Sequence, residues 1–146
     1  MKKAIIISLY TVLGILIVMC IIVYKILFSV SVPVDVSFSE TAYIRAEEYG
    51  EMPEIYTQIK QEDLEFLKSI FNRTAWKETP SCPCNGVELI FKSEKKDLII
   101  YPAGDGCPTM RIEEDGKDYY FHITDEDNEK FKKMLEGYGI IYNFGI

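Results

Sequence analysis

Between Ala4 and Tyr24 the chain carries 21 consecutive residues without a charge, most of them Ile, Leu and Val. As a helix this run spans about 31 Å at ~1.5 Å per residue, enough to cross the hydrocarbon core of a bilayer. Apolar character resumes after Lys25 with Ile26, Leu27 and Phe28, so Lys25 is expected to carry its ammonium to the headgroups from near the helix end. The amino terminus, Lys2 and Lys3 precede the span, while Lys25 follows it among Asp35 and Glu40. That asymmetry predicts a cytoplasmic N-terminus and an extracytoplasmic C-terminal domain, in a single-pass protein of the cell membrane.

A cleaved signal peptide fits less well, because its apolar core is shorter and ends in small residues. Lipidation at Cys20 is disfavoured too: Met19 is not small, and the apolar helix continues for eight residues past the cysteine. The chain is thus expected to divide into a tip and anchor over 1–30 and an α+β domain over 31–146.

All 23 acidic residues and 13 of the 16 basic ones fall in 31–146, giving that domain a net charge of −10. Phosphate binding depends on Lys and Arg displacing counterions, so nucleic acid is excluded as an expected partner, and so is an anionic lipid surface. A cationic partner is compatible with this charge, as is simple solubility of a tethered domain.

Val32, Val34, Val36 and Phe38 alternate at strand period, with Pro33 near the start. The segments 42–49 and 55–59 form a predicted hairpin around Gly50 and Pro53. From Gln61 to Asn72, Leu64, Leu67, Ile70 and Phe71 return to one helical face behind an acidic first turn. A long loop is expected over 73–86, where Pro80, Pro83 and Gly86 forbid a continuing helix.

Two hairpins follow with definite registers. Lys92 opposite Asp97 sets Phe91 against Leu98 and Leu89 against Ile100. The pair Asp115-Gly116 sets Ile112 against Tyr119, because glycine accepts the positive φ of a two-residue turn. Met110, Ile112, Tyr119, Phe121 and Ile123 then share an apolar face, opposite Arg111, Tyr120 and His122. Thr124 caps a second helix with Phe131, Met134, Leu135 and Tyr138 on its buried stripe, ended by Gly137 or Gly139. A last edge strand is expected over 140–144. The predicted fold is a mainly antiparallel sheet of hairpins with two amphipathic helices.

Outside the cytoplasm an oxidised cysteine pair is the default. Cys82 and Cys107 flank the first hairpin and satisfy its register, and a bridge closing roughly 25 residues supplies ~3 kcal/mol by restricting the unfolded chain. Cys84 with Cys107 is the alternative. Cys82 with Cys84 is disfavoured by the rigid Pro83 between them. On the leading pairing Cys84 is the leftover thiol.

Three cysteines with His122 suggest a soft-metal or redox site, but their spacing matches no zinc motif, so no metal or cofactor is expected. The acidic runs 113–115 and 125–129 read as a hairpin tip and a helix start, without the ligand spacing of a calcium loop. Asn72, Arg73 and Thr74 spell a glycosylation acceptor. A lone histidine without a nucleophile elbow makes no triad, and no catalytic residue is expected.

The helix from Gln61, the segments SCPCNGVELIF and YPAGDGCPTMRI, and YYFHITDEDNEKFKKMLEGYG resemble, over roughly Ile55 to Gly139, a group of small secreted or membrane-tethered proteins of Gram-positive bacteria whose function is uncharacterised. The resemblance implies one cysteine before the first hairpin and one after it, matching Cys82 and Cys107, with Cys84 as an addition. It also implies a Phe-Pro-Cys type tail, where this chain has Tyr142 to Ile146. The leading expectation is a non-catalytic, membrane-tethered module that binds a protein or envelope component. Its rivals are an immunity or inhibitor protein against a cationic toxin, and a thiol-based metal or redox factor using Cys82, Cys84 and Cys107.

Overall fold

The computed structural model describes residues 2–28, 31–47, 54–78, 80, 82–84 and 86–140, with side chains of the first helix described at 10 and 12–24. The chain divides into two compact units, Met1–Val30 and Ser31–Ile146. The first unit contains the helix α1 (Lys2–Phe28), 27 residues long. Among the described residues no helix is long and apolar enough to cross a membrane. What is established is a long helix, not a membrane span.

The second unit runs β1 (Ser31–Val34), β2 (Ala42–Ala46), β3 (Ile55–Gln58), α2 (Gln61–Phe71), β4 (Arg73–Trp76), β5 (Val87–Phe91), β6 (Leu98–Pro102), β7 (Thr109–Glu114), β8 (Lys117–His122) and α3 (Asp125–Gly137). The eight strands form one antiparallel sheet in the order β1-β4-β8-β7-β6-β5-β2-β3. The α+β class and the antiparallel sheet are as expected.

Both central registers are those of the sequence. Phe91 faces Leu98 and Leu89 faces Ile100, while Ile112 faces Tyr119. Lys92 Nζ meets Asp97 Oδ2 at 2.6 Å across the first turn. The second turn places Asp115 at φ 52° and Gly116 at φ 68°, the doubly positive geometry that favours Asp-Gly. The hairpin of β2 and β3 also forms, Tyr43 facing Gln58; its expected turn at Gly50 and Pro53 lies outside the described residues, as does the expected strand beyond Ile140.

Two elements depart from expectation. The first strand stops at Val34 instead of reaching Phe38, because the Asp35 carboxylate accepts both the Ser37 amide and the Ser37 hydroxyl, at 2.9 and 2.6 Å, and turns the chain. Val36 stays fully buried even so. The expected loop after α2 begins with the strand β4, where Ala75 enters the core and Trp76 pairs with Tyr120 of β8.

Helices α2 and α3 share one core with the sheet. Leu64, Leu67, Ile70 and Phe71 from α2 and Phe131 and Leu135 from α3 meet Val87, Leu89, Phe91, Ile100, Met110, Ile112 and Phe121. At its centre the Phe71 ring takes edge contacts from Phe91, Phe121 and Phe131 at centroid distances of 6.2, 5.8 and 5.8 Å. Thr124 Oγ1 accepts the Asp127 amide at 3.1 Å as the α3 cap, and Gly139 at φ 83° ends the last turn.

Candidate functional site

The β5–β6 hairpin carries its two open ends to one end of the sheet, and there the cysteine loops meet. The Gly104 amide donates to the Pro83 carbonyl at 2.6 Å, joining the two loops past the strands. The loop 103–108 is held independently. Ala103 N donates to Thr109 O at 2.9 Å, Ile123 N to Pro108 O at 3.0 Å, and the buried Asn128 of α3 gives its Nδ2 to Gly106 O at 2.9 Å. Gly106 at φ 75° makes the reversal that turns Asp105 and Cys107 toward the same point.

At that point one ligating atom each from Cys82, Asp105 and Cys107 lies within 4.8 Å of the other two. All of the cysteines are thiols. Asp105 Oδ1 accepts the Cys107 amide at 3.1 Å. Burial works against its ionisation, but hydrogen bonds from the Cys107 thiol and amide and from the Cys82 thiol prevail and hold its carboxyl below the usual carboxylate range. The Cys107 thiol is pushed up to about 12, chiefly by its hydrogen bonds with Cys82 and Asp105.

Cys84 stands apart. Its thiol points at the Cys82 carbonyl, 3.9 Å away, and burial pushes it up to about 11, a rise that neighbouring Arg111 partly offsets. His122 is also elsewhere: Nδ1 lies 3.1 Å from Thr109 Oγ1, and Nε2 lies 3.4 Å from a Glu78 carboxylate oxygen. The sequence-based grouping of three cysteines with one histidine therefore does not assemble, whereas the Cys82 and Cys107 pair does. Asp105 is the member that sequence reasoning missed; its one signal was its place two residues before Cys107, across a glycine.

Neither α2 nor α3 covers the other face of the sheet. Tyr43 and Tyr56 stack there with centroids 5.4 Å apart, the Arg111 guanidinium lies 4.2 Å from the centre of the Tyr101 ring, and Arg111 Nη1 reaches Asp118 at 3.0 Å. Arg45 pairs with Glu88. Tyr56 and Trp76 are 58% and 46% exposed, so aromatic surface faces outward at positions a second sheet or helix would normally cover. At the hairpin tips an open depression of about 650 Å³ sets Asp35, Asp97, Glu113 and Asp115 around Phe38 and Ile99.

The chain matches no family model, no curated protein and no solved structure.

Proposed function

We propose that this chain is a non-catalytic binding module tethered to the cell membrane through α1, with residues 31–146 outside the cytoplasm and the sheet face opposite α2 and α3 as its contact surface. The observation that carries the binding reading is that face: a stacked tyrosine pair, an arginine lying on a tyrosine, and the exposed Tyr56 and Trp76, opposite a sheet face sealed by two helices. Tyrosine, tryptophan and arginine are the side chains that concentrate binding energy in interfaces. The tether reading is supported by the helical backbone over Lys2–Phe28, the uncharged sequence from Ala4 to Tyr24, and the excess of positive charge before it. The partner class is a protein or a component of the cell envelope.

Two measurements test this. A membrane-impermeant amine label applied to intact cells should modify lysines of 31–146 and spare Lys2 and Lys3; the reverse pattern refutes the orientation. Photo-crosslinkers at Tyr56 and Trp76 should give one discrete adduct that a crosslinker at Lys130 on α3 does not, and equal labelling from both faces refutes the contact surface.

A second reading is favoured by the acidic depression at the hairpin tips: an inhibitor that captures a cationic toxin. Its lining carries Asp35, Asp97, Glu113, Glu114 and Asp115 against Lys96, beside Phe38 and Ile99, an acidic excess suited to a lysine or arginine side chain. Unchanged toxin sensitivity of a deletion strain would remove this reading.

For a domain outside the cytoplasm, Cys82 and Cys107 are the pair proposed to oxidise, leaving Cys84 as the thiol. Their sulfurs are within 4.8 Å, and the loops that carry them are already joined by the Gly104 to Pro83 hydrogen bond.

A further inference from the structure

We propose that, while Cys82 and Cys107 are reduced, their two sulfurs and an Asp105 carboxylate oxygen form a zinc site with a fourth position open to solvent. The inference shares its thiols with the bridge proposed above, and the test below separates the two.

Tetrahedral zinc sets the distances that three such atoms must meet. Around zinc with Zn–S near 2.3 Å and Zn–O near 2.0 Å, neighbouring ligand atoms stand roughly 3.5–3.8 Å apart. The three atoms here all fall within 4.8 Å of one another, so closure on an ion asks each separation to shorten by at most roughly 1–1.3 Å. The donor set selects the metal. Two sulfurs disfavour calcium and magnesium, which take oxygen, while the carboxylate favours zinc over copper(I), which is satisfied by two sulfurs alone.

The surroundings are built to hold this shape. Asp105 is fixed by the Cys107 amide at 3.1 Å, and the loop between them is clamped to α3 through Asn128 and Gly106 O at 2.9 Å. Pro83 O ties the Cys82 loop to Gly104. Cys84 and His122 are engaged elsewhere, so the fourth position is left to water or to a ligand of the partner.

Binding balances as Zn²⁺ plus two thiols plus one carboxylate giving a bis-thiolate carboxylate complex of charge −1 and two released protons. Oxidation removes the site: the two thiols lose two protons and two electrons to an external disulfide, which becomes two thiols, and the new S–S bond takes both sulfurs away from the metal. The pair thus has two exclusive states, metal-bound when reduced and bridged when oxidised.

The experiment uses the full chain in detergent, reduced and loaded with zinc, then freed of excess metal and read by native mass spectrometry. Cobalt(II) serves as a spectroscopic stand-in that reports thiolate ligation directly. Reduced wild type should retain one zinc per chain, with Cys84→Ser unchanged. Cys82→Ser and Cys107→Ser should weaken affinity by more than roughly a hundredfold, exceeding the effect of losing an outer-shell partner, and Asp105→Asn by about tenfold or more. The circular dichroism of each variant is compared with wild type, and any unfolded variant is replaced by the alanine form. No zinc on the reduced wild type, or full retention by Cys82→Ser or Cys107→Ser, overturns the site. Oxidised protein with a Cys82–Cys107 bond and no zinc supports both proposals. A mapped Cys84–Cys107 bond overturns the bridge and leaves the zinc site to its own result.

Discussion

Tyr138 closes the gap between the two helices with a single oxygen, and replacing it with phenylalanine isolates that atom. Its hydroxyl donates to Asp63 Oδ2 at 2.6 Å and accepts the Lys60 amide at 2.8 Å, so one group joins the end of α3 to the start of α2. Lys60 offers no side-chain cap to α2, which makes this tertiary contact the fixed partner at that helix end. Phenylalanine keeps the ring packed on the core and removes both bonds. A hydrogen bond to a charged group contributes about 1.5–3 kcal/mol, and water at this exposed rim restores part of the loss, so the expected cost is about 2 kcal/mol.

Urea unfolding of the full chain in detergent, followed by the fluorescence of the sole tryptophan, Trp76, measures the cost. With an m-value of ~1.5 kcal/mol/M the midpoint should fall by about 1.3 M. The pH dependence supplies a second check. Burial, then the hydrogen bond it gives to Asp63, pushes Tyr138 from its ordinary value of 10.0 up to about 12. A raised folded-state value means the stabilisation is whole below pH 10 and drains away as pH rises from there through 12. The gap between wild type and Tyr138→Phe should therefore shrink to roughly half by pH 11. A midpoint shift under about 0.3 M, or a gap that widens above pH 10, refutes the reasoning.

Phe71→Ala should cost about 3–5 kcal/mol, since it empties the centre of the core and removes three edge contacts at once; calorimetry that finds less than about 1.5 kcal/mol would show that the neighbouring rings collapse into the space. Cys84 should resist alkylation at neutral pH, its rate rising with pH toward about 11 as the buried thiol ionises; mass-resolved labelling that finds it fully modified at pH 7 refutes its burial.

The parts of the fold legible in the sequence are those whose partners lie close along the chain. Asp115-Gly116 admits one turn geometry, and that turn dictates every pair from Thr109 with His122 to Glu114 with Lys117. Lys92 opposite Asp97 did the same for β5 and β6. β4 was hidden because its neighbours are β1 and β8, some 40 residues away on either side, and Arg73 to Trp76 has too little local pattern to reveal a strand. β1 was overread because Val36 is buried like a strand residue while Asp35 bends the backbone. The same limit governs the site. Cys82 and Cys107 could be placed at one end of a hairpin from its register, whereas the position of Asp105 depends on how α3 grips Gly106 through Asn128, and the aromatic face emerges only when β2 pairs with β3 and β6 with β7.

The seam between β4 and β8 bears on how the domain carries load. Among the described residues the two strands are joined at the pair Trp76 and Tyr120, whereas β1 and β4 share four pairs. Ser31, the first residue of β1, opposes Trp76, the last residue of β4. Tension arriving from the N-terminal side therefore meets the β1–β4 ribbon at its end and opens it rung by rung, like a zipper, instead of shearing all rungs together. If the domain is tethered as proposed, such a load would draw Val32 away from Ala75 and then Val34 out of the core, before it reached the hairpins that hold the cysteine loops and the aromatic face.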